Sequence, residues 1–537
     1  MNSLLLMIGS ILIFIIAYAT YGAWLAKQWG VDPSRKTPAH EINDGIDYVP
    51  TSPSVLLGHH FSSIAGAGPI NGPIQAAVFG WVPVLLWIII GSIFFGGVHD
   101  FGSLFISIRH DGKSIGEVIN DTMGKKGKRL FLIFAWLTLL LIVGAFSNIV
   151  ASTFASTPAA ATSSLLFIIL AVVFGWAVYR KGVSLKIGTV IGVILLFLSV
   201  WLGTVFPLEL SVNTWIIILG VYIFIASTAP VWILLQPRDY LNSFLLYAMM
   251  GGAVLGIIIY RPEIQLEAVT AFNVGERQYL FPILFVTVAC GAISGFHSLV
   301  ASGTTAKQID NEKDALPIGY GGMLIEGALA VVALITAAYL TKGELSELLK
   351  DGPVNVFANG VGTFMSQFGI PFETGKTFVA LAVSAFALTS LDTATRLGRF
   401  VFQEYFEDAG SKSDSPLTNM YVSTLITVIL GSILAAGGYK AIWPIFGSAN
   451  QLLSALALMT IALWLKKSGK NFNMITIPMV FMLIVTLSAL VILTINSFEN
   501  ANYILVIFPI LLFVLAIVLA IEGYQIIFKK DTEKLSE

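Results

Sequence analysis

Long apolar runs recur along the whole chain, and they constrain its fold more than any other feature. Each run has at least 18 residues, enough to cross a hydrocarbon layer about 30 Å thick. We predict fifteen spans: 4–25, 56–78, 81–108, 130–151, 163–180, 186–206, 214–236, 240–260, 279–302, 318–341, 376–400, 418–437, 443–465, 473–495 and 503–528. Because lipid offers no partner to backbone polar groups, the pattern predicts an all-α polytopic membrane protein.

The distribution of charge predicts how the chain is oriented. Charged residues make up 11% of it, against about 25% in a soluble protein. With the N-terminus outside, 24 of the 30 Lys and Arg residues fall on the cytoplasmic side of the predicted spans. Cytoplasmic loops carry such an excess, so we expect a cytoplasmic C-terminus and a location in the cytoplasmic (inner) membrane.

Composition also limits the partners and cofactors. The formal net charge of −1 gives no basic face for nucleic acid, so the expected partners are the lipid bilayer and a small molecule. The single cysteine, Cys290, provides neither a disulfide framework nor a thiolate metal cluster. Residues 4–25 are expected to be a retained first span, because no Lys or Arg precedes them. The sequence leaves the oligomeric state open.

The segment from Gly58 to Pro73 predicts a break inside a membrane helix. It places glycines and two prolines at membrane depth, and proline cannot donate a backbone hydrogen bond. Where a helix restarts, its unpaired N–H groups and positive dipole suit a carboxylate. We therefore predict that the substrate binds at the break, at Ala65, Gly66, Ala67, Gly68 and Asn71.

A second break is predicted in span 214–236, at Ala226–Pro230, with Ser227 and Thr228 as further substrate contacts. Four spans separate the two broken helices, so they run in opposite directions, as in a five-plus-five inverted repeat. The predicted parts are 1–55 (first span and cytoplasmic loop), 56–206 (repeat one), 214–400 (repeat two) and 401–537 (additional C-terminal helices). The alternative is that these Gly and Pro residues only kink or pack the helices.

Ionisable residues at membrane depth are costly, which makes each a candidate for function. Asp392 is a candidate for ion coupling, and its alternative is a structural ion pair with Arg396 one turn later. Asp100, next to His99, is either part of a proton relay or a fixed polar contact. Glu326 is likewise either structural or proton-carrying.

Span 279–302 carries three further coupling candidates, Ser294, His297 and Ser298. The two serines share a helix face and could form a hard-oxygen Na⁺ site, whereas His297 could titrate near neutral pH. The coupling ion is therefore H⁺ or Na⁺, and no other cofactor is expected. His59, His60 and His99 are weak candidates for a divalent metal. His59 and His60 are adjacent on a helix and point about 100° apart, so they are a poor chelate alone.

Five motifs carry a resemblance to a known family. They are Gly58-His-His-Phe-Ser-Ser-Ile-Ala-Gly-Ala-Gly-Pro-Ile70, Asp111-Gly-Lys-Ser-Ile-Gly-Glu117, Ser294-Gly-Phe-His-Ser-Leu-Val-Ala-Ser-Gly-Thr-Thr-Ala-Lys-Gln308, Ser390-Leu-Asp-Thr-Ala-Thr-Arg396 and Phe446-Gly-Ser-Ala-Asn-Gln-Leu452. In this order they resemble the carbon starvation protein A (CstA) family over nearly the whole chain. The resemblance implies a transporter of the amino acid–polyamine–organocation (APC) superfamily, with a LeuT-like core. It also implies uptake of peptides and of pyruvate, the latter by proton symport, during nutrient limitation.

These features together predict a secondary active transporter that imports a carboxylate-bearing nutrient. ATP drive within this chain is not expected, since it has no phosphate-binding Gly-x-x-x-x-Gly-Lys-Ser/Thr. An enzyme is not expected, since the chain has no His-Glu-x-x-His and no Gly-x-Ser-x-Gly. The alternative is a membrane nutrient sensor that binds the same solutes without transport. The absence of a sizeable cytoplasmic signalling region in this sequence argues against the sensor.

Overall fold

The computed structural model describes residues 2–45, 48–230, 233–408, 415–500 and 503–528, and this part of the chain is built from helices. Lys412, Lys529, Lys530 and Lys534, which enter the charge count, lie outside the described residues, as do positions 231 and 232 of the predicted span 214–236. The longer helices are Ser3–Ala17, Ala23–Trp29, Pro53–Ile64, Gly68–Ala76, Trp81–Gly91, Gly97–Arg109, Ile115–Ser156, Pro158–Gly175, Leu185–Val205, Val212–Thr228, Leu235–Tyr260, Gly295–Gly303, Gly322–Ala338, Lys342–Leu348, Pro353–Ser366, Phe372–Asp408, Met420–Ala436, Tyr439–Lys467, Asn473–Glu499 and Tyr503–Phe528.

Eleven helical segments of the described chain are long and apolar enough to cross a membrane. Two shorter apolar helices, Val212–Thr228 and Met420–Ala436, have 17 residues each. The helical, multi-span class is thereby confirmed. The number of fifteen spans stays a prediction.

The first predicted break is present. The helix Pro53–Ile64 ends, residues 65–67 leave the helix, and a second helix begins at Gly68 with Pro69 in its first turn. Proline fits this position because the first N–H groups of a helix have no intrahelical acceptor. The two halves together form the first discontinuous helix.

The second predicted break coincides with the end of a helix. The helix Val212–Thr228 ends there, and another helix begins at Leu235, so Ala226–Pro230 is a helix end rather than a mid-helix interruption. The residue before a proline is disfavoured in the α conformation, which accounts for the stop at Ala229. The second discontinuous helix is residues 280–303, which leaves the helix after Thr287 and restarts at Gly295.

Burial separates a central group of helices from a peripheral one. In Ile442–Lys467 the most apolar stretch is 100% buried, and in Phe372–Glu407 it is 94% buried. The corresponding stretch of Leu185–Val205 is only 17% buried, and its large exposed apolar residues suit contact with lipid. The long helices Ile115–Ser156 and Phe372–Asp408 pack against each other. Phe372–Asp408 contacts both discontinuous helices, and Ile115–Ser156 contacts the second.

Candidate functional site

The two breaks lie against each other at the centre of the molecule. A Cβ atom placed on Gly68 would lie 2.5 Å from Cys290 Sγ, and one placed on Gly72 would lie 2.7 Å from the Thr287 carbonyl oxygen. From the other side, a Cβ on Gly291 would lie 3.7 Å from Pro69 Cα. Only glycine at position 68 permits this approach, so the small residues bring two sets of main-chain polar groups together.

The restart of the first discontinuous helix has no side-chain cap. Its N-cap residue, Ala67, has no polar side-chain atom to accept from the first N–H groups. One turn later, the side chain of Asn71 is completely buried, and neither its oxygen nor its nitrogen has a hydrogen-bond partner among the described residues. Buried amides are normally paired, so this restart offers both donors and an acceptor to a ligand.

A cavity of about 700 Å³ reaches Asn71 from one end of the helix bundle. Its other polar lining residues are Asn148, Ser152, Thr153, Ser156, Thr157, Lys350, Asp351, Asn355 and Lys376. Gly66 and Gly68 are covered instead, by Ser390 and Cys290 respectively. Of the five residues predicted at the first break, only Asn71 is therefore among the residues lining this cavity.

A smaller cavity of about 190 Å³ lies on the opposite side of the first break. Gly58 and His59 line it, together with Thr51, Tyr240 and Gln308. Residues 60–67 separate it from Asn71, and His60 to Ala67 are all buried. Two cavities thus approach one break from opposite ends, with packed protein between them.

The restart of the second discontinuous helix, in contrast, is capped by side chains of the neighbouring helix Tyr439–Lys467. Asn450 Oδ1 accepts from the Phe296 backbone N–H at 2.8 Å, and its Nδ2 lies 2.9 Å from Ser294 Oγ. Gln451 Nε2 donates to the Phe285 carbonyl at 2.7 Å, where the preceding half-helix ends. Neither Asn450 nor Gln451 was among the predicted site residues, although both lie in the motif 446–452.

Ser227 and Thr228 lie at a helix end closed by two arginines. Arg396 donates to the carbonyls of Ala226 and Ala229 at 2.8 and 2.6 Å, and Arg399 donates to that of Ser227 at 2.8 Å. These carbonyls therefore have cationic partners within the protein. The two residues are not part of the second discontinuous helix, and their role in binding stays a prediction.

Four ionisable side chains form a completely buried cluster beside the breaks, which we call the histidine–carboxylate cluster: His99, Asp100, His297 and Glu326. The two Asp100 oxygens lie 2.7 Å from His99 Nδ1 and 2.7 Å from His297 Nδ1. His297 Nε2 lies 3.4 Å from Glu326 Oε2. The structure thus joins the neighbouring residues His99 and Asp100 to His297, which lies 197 positions after Asp100 in the sequence.

Asp392 belongs to a second buried cluster. Its carboxylate is paired with Arg238 and accepts from the Tyr222 hydroxyl at 2.7 Å. Arg238 also lies 3.4 Å from Asp239, whose carboxylate is 3.7 Å from His59 Nδ1. An ion pair with Arg396 was the predicted alternative for Asp392, but the cation that the structure pairs with it is Arg238, in the helix that begins at Leu235.

The two serines proposed for Na⁺ have intramolecular partners. Ser298 Oγ donates to the Gly295 carbonyl at 2.7 Å, and Ser294 Oγ is held by Asn450. The candidate metal ligands lie in separate contacts, with His60 bonded to Thr305 at 2.8 Å. Among the described residues no group of three His, Cys, Asp or Glu side chains is placed to hold a metal ion. Ion coupling and metal binding stay predictions.

The fold is similar to that of a solved transporter. A manganese transporter of Eremococcus coleocola aligns with 90% of this chain and 99% of its own, with a TM-score of 0.50 and 14% identity. At this identity the likeness concerns the fold alone.

Sequence comparison is more specific. The model of the family "Carbon starvation protein CstA" matches residues 2–350 and 341–489. The peptide transporter CstA of Campylobacter jejuni is 34% identical over 90% of this chain and 79% of its own length. The pyruvate/proton symporter BtsT of Escherichia coli is 32% identical over 91% of this chain and 81% of its own, and the peptide transporter CstA of Bacillus subtilis is 32% identical over 90% and 89%. The chain therefore belongs to the carbon starvation protein CstA family.

Proposed function

We propose that this protein is a secondary active transporter that imports small carboxylate-bearing nutrients, peptides or pyruvate, across the cytoplasmic membrane with proton coupling. The observation that carries the proposal is the uncapped helix restart at Gly68, with the unpartnered amide of Asn71 at the floor of a cavity. A carboxylate accepts from helix N-terminal N–H groups and from the Asn71 amide. The names of the relatives, peptide transporter and pyruvate/proton symporter, agree with such a substrate.

The two cavities suit alternating access. By the excess of Lys and Arg, the end with the 700 Å³ cavity is the outer face and the end with the 190 Å³ cavity is the cytoplasmic face. Gly66 and Gly68 pack on Ser390 and Cys290, so a movement of the first discontinuous helix away from these residues would uncover the main chain. The same movement would open the packed segment between the cavities.

The proposed topology has fifteen spans around an inverted repeat whose halves begin at residues 53 and 280. Corresponding helices have similar lengths: Ile115–Ser156 matches Phe372–Asp408, and Val212–Thr228 matches Met420–Ala436. Each of these two pairs also packs together. In this arrangement residues 158–205 are a hairpin inserted into the first half, so the sixth helix of the repeat is residues 280–303 instead of the span 214–236.

Uptake into proteoliposomes tests the function. Labelled pyruvate and a labelled dipeptide are offered separately to the purified protein, under an imposed pH gradient or an imposed Na⁺ gradient. We expect accumulation of at least one solute with the pH gradient. Binding of a solute without accumulation under either gradient would contradict transport and favour a sensor. Accumulation with the Na⁺ gradient alone would contradict proton coupling.

A further inference from the structure

We propose that Glu326 and His297 share one exchangeable proton and form the proton-binding site of the transporter. This inference rests on the proposed function and makes it more specific, because it places the coupling proton between the side chains of Glu326 and His297. It rests on the geometry of the histidine–carboxylate cluster. Neither Glu326 carboxylate oxygen has a hydrogen-bond partner within the described residues, and the side chain is completely buried.

The tautomers follow from Asp100. An ionised carboxylate only accepts hydrogen bonds, and both Asp100 oxygens lie 2.7 Å from an Nδ1 atom. Both histidines therefore donate from Nδ1. A neutral His297 then presents a bare lone pair at Nε2, toward Glu326 Oε2 at 3.4 Å.

Two bare acceptors cannot be placed together without cost in a medium of low dielectric constant. One proton between them removes the conflict, either as a neutral Glu326 donating to Nε2 or as an imidazolium facing a carboxylate. In both forms the pair holds one proton. When that proton leaves, a buried carboxylate faces a lone pair, and this packing of the helices becomes unfavourable.

His297 and Glu326 lie on two helices that move relative to each other in the proposed transport cycle. His297 lies in the restarted half of the second discontinuous helix, and Glu326 lies in the helix Gly322–Ala338. The helix Gly295–Gly303 packs against the first half-helix, Pro53–Ile64, and the helix Gly322–Ala338 packs against its restarted half, Gly68–Ala76. Loss of the proton therefore acts on both breaks, which links the proton to exposure of the substrate site.

The other titratable groups around the pair have separate roles. Asp100 and Cys290 lie within electrostatic range of Glu326, but Asp100 is held by its two histidines and Cys290 packs on Gly68. On the cytoplasmic side, His60 lies beside Gly322, one turn before Glu326. His60 Nε2 is buried without a partner among the described residues.

One proton for one carboxylate makes the uptake of a monocarboxylate electroneutral. A pH gradient should then drive accumulation of pyruvate, whereas a membrane potential imposed without a pH gradient should not, because no net charge crosses the membrane. Accumulation driven by the potential alone would contradict the one-proton assignment.

Glu326→Gln separates binding from coupling. Glutamine keeps the size of the side chain and supplies an N–H toward His297 Nε2, so it mimics the protonated state permanently. We expect accumulation of pyruvate driven by the pH gradient to be lost, while exchange of internal for external pyruvate without a gradient remains detectable at a changed rate. Glu373→Gln, at an exposed glutamate outside the cluster, is the matched control.

Retained accumulation in Glu326→Gln would overturn the proposal, and so would loss of exchange together with loss of accumulation in a folded variant. If the Gln variant does not fold, Glu326→Asp decides, because it withdraws the carboxyl from His297 by one methylene. The Asp variant should shift the pH profile of accumulation, and an unchanged profile would overturn the assignment.

Thermal stability as a function of pH can be measured without transport. It therefore tests the proton site separately from the proposed transport function. The thermal stability of the wild type should fall relative to Glu326→Gln as the pH rises, because only the wild type loses the shared proton. For the Asp variant the fall should occur in a different pH range. Parallel stability curves for the wild type and the Gln variant would overturn the proton site even if uptake is observed.

Discussion

The two breaks of this molecule are built from similar small residues but are completed in different ways. The first, at residues 65–67, leaves its restarted helix uncapped, with the Asn71 amide unpartnered. The second, at residues 288–294, is closed on both sides by Asn450 and Gln451 of a neighbouring helix. A main-chain interruption in a membrane helix is therefore not by itself a binding site. What matters is whether protein or ligand satisfies its polar groups.

The largest effect is expected where the two breaks touch. In Gly68→Ala the new Cβ would lie 2.5 Å from Cys290 Sγ and 2.6 Å from Cys290 Cβ, so the breaks must separate. We expect overpacking to cost about 1–3 kcal/mol and uptake to be lost. Uptake of labelled solute and thermal unfolding of the same preparation measure the two effects.

A second substitution tests the cause of that loss. Cys290→Gly removes both clashing atoms, so Gly68→Ala with Cys290→Gly should recover uptake that Gly68→Ala alone lacks. Gly9→Ala, where a Cβ meets nothing within 4 Å, is the matched control. If the double variant stays as inactive as Gly68→Ala, contact between the breaks is not the reason for the loss.

Asn450→Ala tests the capped break. It leaves the Phe296 N–H and the Ser294 hydroxyl without their amide partner, and we expect a loss of about 2–4 kcal/mol in unfolding free energy. Thermal unfolding in lipid-containing detergent measures it, with the exposed Asn213→Ala as the control. Equal stability of the two variants would contradict a structural role for Asn450.

Asn71→Ala tests the open break and should behave in the opposite way. The amide has no partner in the described protein, so its removal should change stability by less than about 1 kcal/mol. The KM of uptake should rise about tenfold, equivalent to about 1.4 kcal/mol of lost substrate binding. A drop in stability with an unchanged KM would mean that Asn71 supports the fold rather than the ligand.

The smallest effect is expected for Ser298→Ala. Its hydroxyl donates to the Gly295 carbonyl within its own helix, a bond worth about 1 kcal/mol. We expect uptake and its response to an imposed Na⁺ gradient to remain as in the wild type. A Na⁺-stimulated component that disappears in this variant would restore the serines as a cation site.

Residues 58–73 illustrate what local sequence predicts well. Pro69 has no N–H and fits the first turn of a helix, so a restart near residue 68 was predictable from the local sequence, although Gly72 and Pro73 lie inside the restarted helix. The second break has no proline, only Gly291 among small apolar residues, and nothing local requires the helix to stop there. Pro230 gave a stronger signal, but it marks a helix end.

The sequence by itself determined the helical membrane class, the family and the first break, because apolar length, motif order and proline chemistry are properties of short segments. The tertiary structure alone decided that Arg238 pairs with Asp392, that Asn450 caps the second restart and that His297 joins Asp100 to Glu326. Each of these pairings joins residues that are distant in sequence, from 29 positions between His297 and Glu326 to 197 between Asp100 and His297. A buried polar group needs a partner, and packing of the helices settles which one it finds.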